Sequence, residues 1–372
     1  MKDIVILAGS TPWSVLSLCN NAVNLGSKAF VICVKNGWGR KYAHSHLVYK
    51  AYDTEEKDLS VFWKEFFTEN IFLEAPILYV TSDCTCQLIE NNRDFYERSF
   101  TLCVASSYII KSFTDKNISA TEAPRHGLTI PKTMEVQDDN DVNAACKEMA
   151  FLVIVKPVSY LDHNQAGFKM NVCENAEELK AFLNQHLNSK IRLQCQEYIP
   201  GEDKDCLFYQ FYRDSHGQIV ECMGEKTVQS TGIMAVGTTK YDNALSKLCR
   251  LFLESIDYVG IGGIEFKRYN GKYYFIEMST RTEGFLPISD MSGVPLGAIS
   301  MLSLSGESWK EKVQLDDKKY VVFKTFIKTT IKKSGFAKAL KELFCYLTDK
   351  NSRFVGAYLD WWFTVRLDLG LI

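Results

Sequence analysis

Asn270-Gly271 stands between two β-rich runs, Gly262–Tyr269 and Lys272–Arg281, and that dipeptide is a strong signal for an antiparallel hairpin. Side chains alternate along a strand, so the register of the hairpin decides which of them share a face. A two-residue turn would put Glu265 and Glu277 on opposite faces. A three-residue loop, with Gly271 in the left-handed conformation, puts both on one. The apolar pattern favours the longer loop, because Ile264, Phe266, Tyr274, Ile276 and Met278 then form a single core side. The other side carries Glu265, Lys267, Glu277, Ser279 and Arg281. Two carboxylates flanked by cations suit a divalent cation with phosphate, since Mg²⁺ takes hard oxygens, often one or two carboxylates plus phosphate oxygens. The alternative is a solvated polar face of a two-layer sheet.

The first hundred residues alternate strand and helix. Ile4–Ala8, Ala29–Val34 and Ile77–Val80 read as strands, and Trp13–Leu25, Ser60–Glu69 and Cys84–Asn92 as helices. This order predicts a small parallel sheet. Gly9-Ser10-Thr11-Pro12 lacks the G-x-G-x-x-G spacing and reads as a tight strand-to-helix turn rather than a phosphate loop. The apolar run before it is too short for a secretory signal. Further along, Ser107–Ser119, Glu177–Leu187 and Met291–Leu304 read as helices. Phe151–Val155, Leu193–Ile199 and Cys206–Tyr212 read as strands.

Composition removes several function classes. Lys and Arg number 43 against 45 Asp and Glu, a net charge of −2, which argues against a nucleic-acid partner. The twelve cysteines are scattered, and only Cys84 and Cys86 are close, without a second pair to complete a zinc site. A chain of 372 residues needs no disulfide staples, so reduced thiols and a cytoplasmic setting are expected.

Two further segments belong with the hairpin. Lys156 ends an apolar strand, where a buried ammonium is costly without an anion to meet it. Gln196-Glu197-Tyr198-Ile199 ends a strand before Pro200-Gly201, an exit expected to leave backbone groups free to read an adenine edge.

In this order and spacing, Val-Ile-Val-Lys156-Pro, Gln196-Glu-Tyr-Ile-Pro-Gly, and Glu265 followed by Phe-Ile-Glu277-Met-Ser-Thr-Arg281 resemble the ATP-grasp superfamily of carboxylate–amine ligases. Gly127-Leu-Thr-Ile-Pro-Lys-Thr133 looks like that family's entry into its nucleotide-binding half. The resemblance implies an α/β and α+β chain, an ATP-grasp fold behind an N-terminal Rossmann-like domain. Residues 1–105 would form that first domain, 106–303 the ATP- and Mg²⁺-binding domain, and 304–372 a lysine-rich, aromatic extension. It also implies a role for each matched residue. Lys156 and Lys116 would contact the α- and β-phosphates, and Gln196, Glu197, Tyr198 and Ile199 the adenine side. Asp205, or Glu202 in its place, would hold the ribose. Lys226 would reach the γ-phosphate or substrate carboxylate, and Arg281 would stabilise an acyl phosphate. Glu265 and Glu277 would bridge Mg²⁺, with Mn²⁺ as a substitute.

The sequence departs from the family in two places. Ser279 stands where the family usually has Asn, a poorer neutral ligand for a second metal. Val158–Lys169 lacks the glycine-rich loop common in the superfamily and is similar to the D-aspartate ligase-like branch, in which Lys169 would supply a cation in place of backbone N–H groups. His163 in the same segment reads as a surface residue. The implied activity is ATP-dependent amide formation from small-molecule carboxylate and amine substrates, on a cell-envelope precursor or another small molecule, with a homodimer allowed. A carbamoyl-phosphate-type synthase, a phosphotransferase and a non-catalytic nucleotide-binding module are the other readings. The eight lysines from Lys318 to Lys341, ahead of Trp361-Trp362-Phe363, suit either a tail packed on the core or peripheral contact with an anionic membrane.

Overall fold

In the computed structural model, residues 1–9, 12–34, 38–54, 59–187, 191–230 and 232–372 are described, the backbone alone at 160, 161 and 164. Strands β1 (Ile4–Ala8), β2 (Ala29–Cys33), β3 (Lys50–Asp53), β4 (Ile77–Val80) and β5 (Thr101–Leu102) form a parallel sheet in the order β3-β2-β1-β4-β5. Every residue of β1, β2 and β4 is buried, which is why these strands read as unbroken apolar runs. Helix Leu59–Glu69 covers one face with Phe62, Trp63 and Phe66, and helix Pro12–Asn24 the other with Val15, Leu16, Leu18 and Cys19. Strand β3 was not legible because Lys50-Ala51-Tyr52-Asp53 is a half-buried edge with no apolar alternation. The turn expected at Gly9–Pro12 falls partly outside the described residues, at Ser10 and Thr11.

Two helices expected to be continuous are broken. Asp115 interrupts the first, leaving Ser107–Thr114 and Lys116–Arg125, and its carboxylate caps the second by accepting from the Asn117 and Ile118 N–H groups. The second, expected from Met291 to Leu304, begins only at Leu296, and Met291 instead ends a separate helix, Pro287–Met291, because Gly293 adopts φ +84° and Pro295 follows it.

A four-stranded antiparallel sheet follows, with order β6-β9-β7-β8 from β6 (Thr133–Val136), β7 (Val153–Pro157), β8 (Asn171–Cys173) and β9 (Leu193–Glu197). Val153, Val155, Leu193 and Cys195 point to a core shared with Leu179 and Leu183 of helix Ala176–Leu187. By alternation, Lys156, Gln194 and Gln196 point the other way. Between β7 and β8 the chain forms a short helix, Tyr160–Ala166, begun by a reciprocal Ser159–Asp162 cap; His163 is half-buried in it.

The largest sheet has the order β14-β13-β10-β11-β12-β15-β16, built from β10 (Cys206–Arg213), β11 (Ile219–Ser230), β12 (Ile233–Thr239), β13 (Gly260–Tyr269), β14 (Lys272–Ser279), β15 (Lys319–Val321) and β16 (Ser352–Phe354). The β13–β14 turn is not the expected three-residue loop. Tyr269 pairs with Lys272, and Asn270 (φ 48°) and Gly271 (φ 72°) alone make the turn. Continued unbroken, that register would set the two carboxylates on opposite faces. A β-bulge corrects it: Phe266 pairs with Phe275 but Glu265 pairs with Glu277, leaving Ile276 as the extra residue. Ile264, Phe266, Phe275 and Met278 form the core side; Tyr274 and Ile276, both expected there, are outside that cluster, and Tyr274 pairs with Lys267 instead.

The C-terminal segment packs through one side. Tyr320, Val321, Phe326, Ala339, Val355, Leu359 and Phe363 are buried. Asp360 accepts from Ser45 Oγ at 2.7 Å, lies 3.0 Å from His46 Nδ1, and fixes helix Val355–Asp368 to the first sheet's layer, where Phe363 stacks on Tyr42. Trp361 and Trp362 remain exposed.

Candidate active site

The four-stranded and seven-stranded sheets present their polar faces to one cleft. From β7, Lys156 donates to Gln196 Oε1 at 2.7 Å, and from β9, Gln194 Nε2 donates to Asn117 Oδ1 at 2.8 Å. On the opposite side the bulge holds Glu265 across from Glu277, and Ser279 follows across from Gly263. Lys226 of β11 is buried and reaches over β10 to place Nζ 2.5 Å from Glu265 Oε1, donating also to Gly232 O at 3.1 Å.

The charges of the two sides are each incompletely compensated. Burial, with Lys116 and Lys169 nearby, pushes the Lys156 ammonium down to about 8, against the opposing pull of Glu277 and Glu265. Burial also drives the Glu265 carboxyl well above the usual carboxylate range. The neighbouring Glu277 and Glu283 raise it further, and Lys226 offsets this only in part. Glu277 is held below the usual range, because Lys169, Lys116, Lys226 and Lys156 together outweigh its burial. The cleft is therefore a cradle of four lysines facing a pair of carboxylates. Among the described residues, no group of three or more His, Cys, Asp and Glu side chains converges to hold a metal by itself. A polyanion carrying a divalent cation fits both deficits at once: its phosphates meet the lysines, and its cation meets Glu265 and Glu277.

The remaining expected residues sit around this cradle. Lys116, at the start of its helix, donates Nζ to Val158 O at 3.4 Å, and Lys169 Nζ lies beside Gly232. The strand exit is less open than expected, because Tyr198 N–H already donates to Leu152 O at 3.1 Å. The Glu197 carboxylate accepts from Lys132 N–H at 3.2 Å. Ile199 is buried. Glu202 pairs with Lys204, and Asp205 caps the turn by accepting from Glu202 N–H at 2.9 Å. Arg281 is tethered, its Nε donating to Asp83 Oδ1 at 2.8 Å and its Nη1 lying 3.5 Å from Glu283 Oε2.

Two residues escaped sequence reasoning, as did the partner of a third. Glu283 fills the space that Gly263 leaves by having no side chain, where a Cβ would stand 2.7 Å from Glu283 Cγ. Only that glycine hinted at it. Asp83 meets Arg281 across 198 residues of sequence and has no local signal. Lys267 is buried and donates to Glu202 O at 2.7 Å; alternation had placed it on the carboxylate face without a partner.

Solved structures share this fold. The biotin carboxylase domain of 2-oxoglutarate carboxylase from Hydrogenobacter thermophilus, in complex with MgADP, ADP and bicarbonate, superposes with a TM-score of 0.65. It is 17% identical, over 86% of this chain and 73% of that one. N5-carboxyaminoimidazole synthetase from Staphylococcus aureus, complexed with ADP, gives 0.66 at 14% identity, over 84% and 80%. The fold is that of an ATP-grasp protein. The family model described as carbamoyl-phosphate synthase L chain, ATP binding domain, matches residues 115–308, and the chain belongs to that family. D-aspartate ligase from Enterococcus faecium (strain Aus0004) is 24% identical over 223 residues, 55% of this chain and 53% of that enzyme. The chain thus spans about half the length of this relative.

Proposed function

We propose that this chain is an ATP-dependent carboxylate–amine ligase that forms an amide through an acyl phosphate. The observation that carries the reading is the opposition of Lys156, Lys116, Lys169 and Lys226 to Glu265 and Glu277 across one cleft. In this reading Lys116, Lys156 and Lys169 hold the nucleotide phosphates, and the hinge from Gln196 to Ile199 borders the adenine. Asp205, with Glu202 beside it, faces the ribose. Glu265 and Glu277, with the Ser279 hydroxyl following, hold Mg²⁺, which when bound neutralises phosphate oxygens.

A substrate carboxylate oxygen attacks the γ-phosphorus as the bond to the ADP oxygen breaks, giving an acyl phosphate. An amine nitrogen then attacks the acyl carbon, phosphate leaves, and the nitrogen loses its proton. Phosphoryl transfer asks mainly for alignment and charge neutralisation. Lys226 supplies that charge at the transferring group. Arg281, oriented by Asp83 and Glu283, supplies it at the acyl phosphate.

The likeness to D-aspartate ligase supports an amino acid as one of the two substrates, with a cell-envelope precursor proposed as a candidate for the other. The scattered cysteines and the length of the chain go with a cytoplasmic setting. ADP release screened across D- and L-amino acids with candidate carboxylic acids tests the proposal. Release that needs both partners and accompanies an amide supports it. Nucleotide binding without turnover for any pair would leave a binding module.

A further inference from the structure

Helix Phe336–Thr348 is apolar on two sides. On one side Ala339 is buried, and Leu343 and Tyr346 pack on Val236, Val321 and Phe326 at the edge of the seven-stranded sheet. A helix resting on a core needs only one apolar stripe. The second stripe is Phe336, Leu340, Phe344 and Leu347, with exposures of 65%, 49%, 67% and 64%. At 3.6 residues per turn these four fall within an arc of about 80° and run the length of the helix. Scattered exposed leucines need no explanation, but an ordered stripe of large side chains does.

Cations border it. Lys341 and Lys338 follow the stripe around the same helix. The preceding helix, Phe323–Ser334, packs against it through the turn at Gly335 and exposes Lys324, Lys328 and Lys332 beside Phe323 and Ile331. Lys324 pairs with Asp368, Lys333 with Asp203, and Lys338 lies 3.9 Å from Glu342. Lys328, Lys332 and Lys341 have no carboxylate partner among the described residues. The helix that follows shows Trp361 and Trp362 to solvent, side chains that sit well where one end is apolar and the other wet. Among the described residues, no helix is long and apolar enough to cross a membrane.

We propose that the Phe336–Thr348 helix lies on an anionic lipid surface, inserting Phe336, Leu340, Phe344 and Leu347 at the acyl boundary while Lys328, Lys332 and Lys341 meet lipid headgroups. An apolar stripe rimmed by unpaired lysines is the pattern of a helix that rests in the interface plane. Unpaired cations favour an anionic partner over a second copy of this chain, whose matching surface would bring lysines against lysines. This proposal is independent of the ligase reading, since that reading assigns no role to any of these residues.

Co-flotation of the intact chain with phosphatidylcholine vesicles, with and without phosphatidylglycerol, tests it. Binding is expected to the anionic vesicles at low salt, to weaken at high salt, and to be absent on phosphatidylcholine alone. Replacing Lys328, Lys332 and Lys341 with Gln should lower partitioning on the order of a hundredfold, at roughly fivefold per lysine. Leu340→Glu with Phe344→Glu should abolish it. These sites are exposed, so unchanged thermal melting of each variant distinguishes lost docking from lost fold. An intact chain that stays free of anionic vesicles at low salt overturns the proposal, as does equal binding to phosphatidylcholine. A concentration-dependent dimer that Phe344→Glu dissociates would assign the stripe to a second copy and overturn it too.

Discussion

Glu265 faces Glu277 because Ile276 is one residue too many for its strand: a two-residue turn sets one register, and the bulge shifts it by one before the carboxylates pair. The core side of the hairpin, Phe266 with Phe275 and Ile264 with Met278, fixes the geometry from behind. An amide at position 277 would keep this packing and lose the charge that compensates a divalent cation. Glu277→Gln should lower Mg²⁺-dependent turnover about a hundredfold or more while thermal melting stays unchanged. Mg²⁺ titrations of turnover for both proteins measure it, and equal rates would remove Glu277 from the metal role.

The lysines of the cleft should divide into stronger and weaker contributors. Lys156 is half-buried and already hydrogen-bonded to Gln196, so Lys156→Ala removes an oriented charge-assisted contact and should weaken ATP binding by about 10- to 100-fold. Lys169 is exposed, and its loss should weaken binding by less than that. Calorimetric titration with ATP decides both. ATP affinity unchanged in Lys169→Ala would make Lys169 a solvated residue and detach this chain from the branch with a lysine in place of the glycine-rich loop.

Nucleotide affinity should depend on pH at both ends. Burial leaves the Lys156 ammonium titrating near 8 in the nucleotide-free protein, so affinity should be level below that pH and fall above it, by at most about tenfold per pH unit. On the acid side, the raised Glu265 carboxyl must lose its proton before a cation binds, so Mg²⁺-nucleotide affinity should decline at a pH above the usual carboxylate range. Stability moves the other way at high pH. The unfolded lysine keeps its proton to 10.5 and the folded one releases it near 8, so between these values the unfolded state holds more protons and stability rises with pH. Lys156→Ala should abolish both alkaline effects, and an alkaline limb that persists would assign them elsewhere.

Asp360 joins the C-terminal helix to the first sheet's layer through Ser45, His46 and the Phe363 N–H. Asp360→Ala should lower stability by about 1–3 kcal/mol in denaturant unfolding and leave ATP affinity unchanged. A variant as stable as the parent would mean that the anchor contributes nothing to packing.

What the sequence made legible followed period and turn chemistry. Buried parallel strands showed as apolar runs, and Lys156 and Gln196 showed as polar alternates at strand ends. The same-face relation of Glu265 and Glu277 was reached through the wrong loop, because a bulge leaves no mark in the alternation beyond misplaced apolar residues, here Tyr274 and Ile276. Strand β11 was missed, since Glu221 and Lys226 interrupt its apolar pattern while serving Tyr209, Ser246 and Glu265 inside the fold. The ties of Arg281 to Asp83 and of Lys333 to Asp203 depend on how distant elements pack, which no local window contains.

The most direct test of the ligase reading follows oxygen. Once an acid and amine pair supports ADP release, the carboxylate is supplied labelled with ¹⁸O in both oxygens. Attack of that carboxylate on the γ-phosphorus predicts one labelled oxygen in the inorganic phosphate for each amide formed. Amide formation with unlabelled phosphate, or with label appearing in AMP, would contradict it.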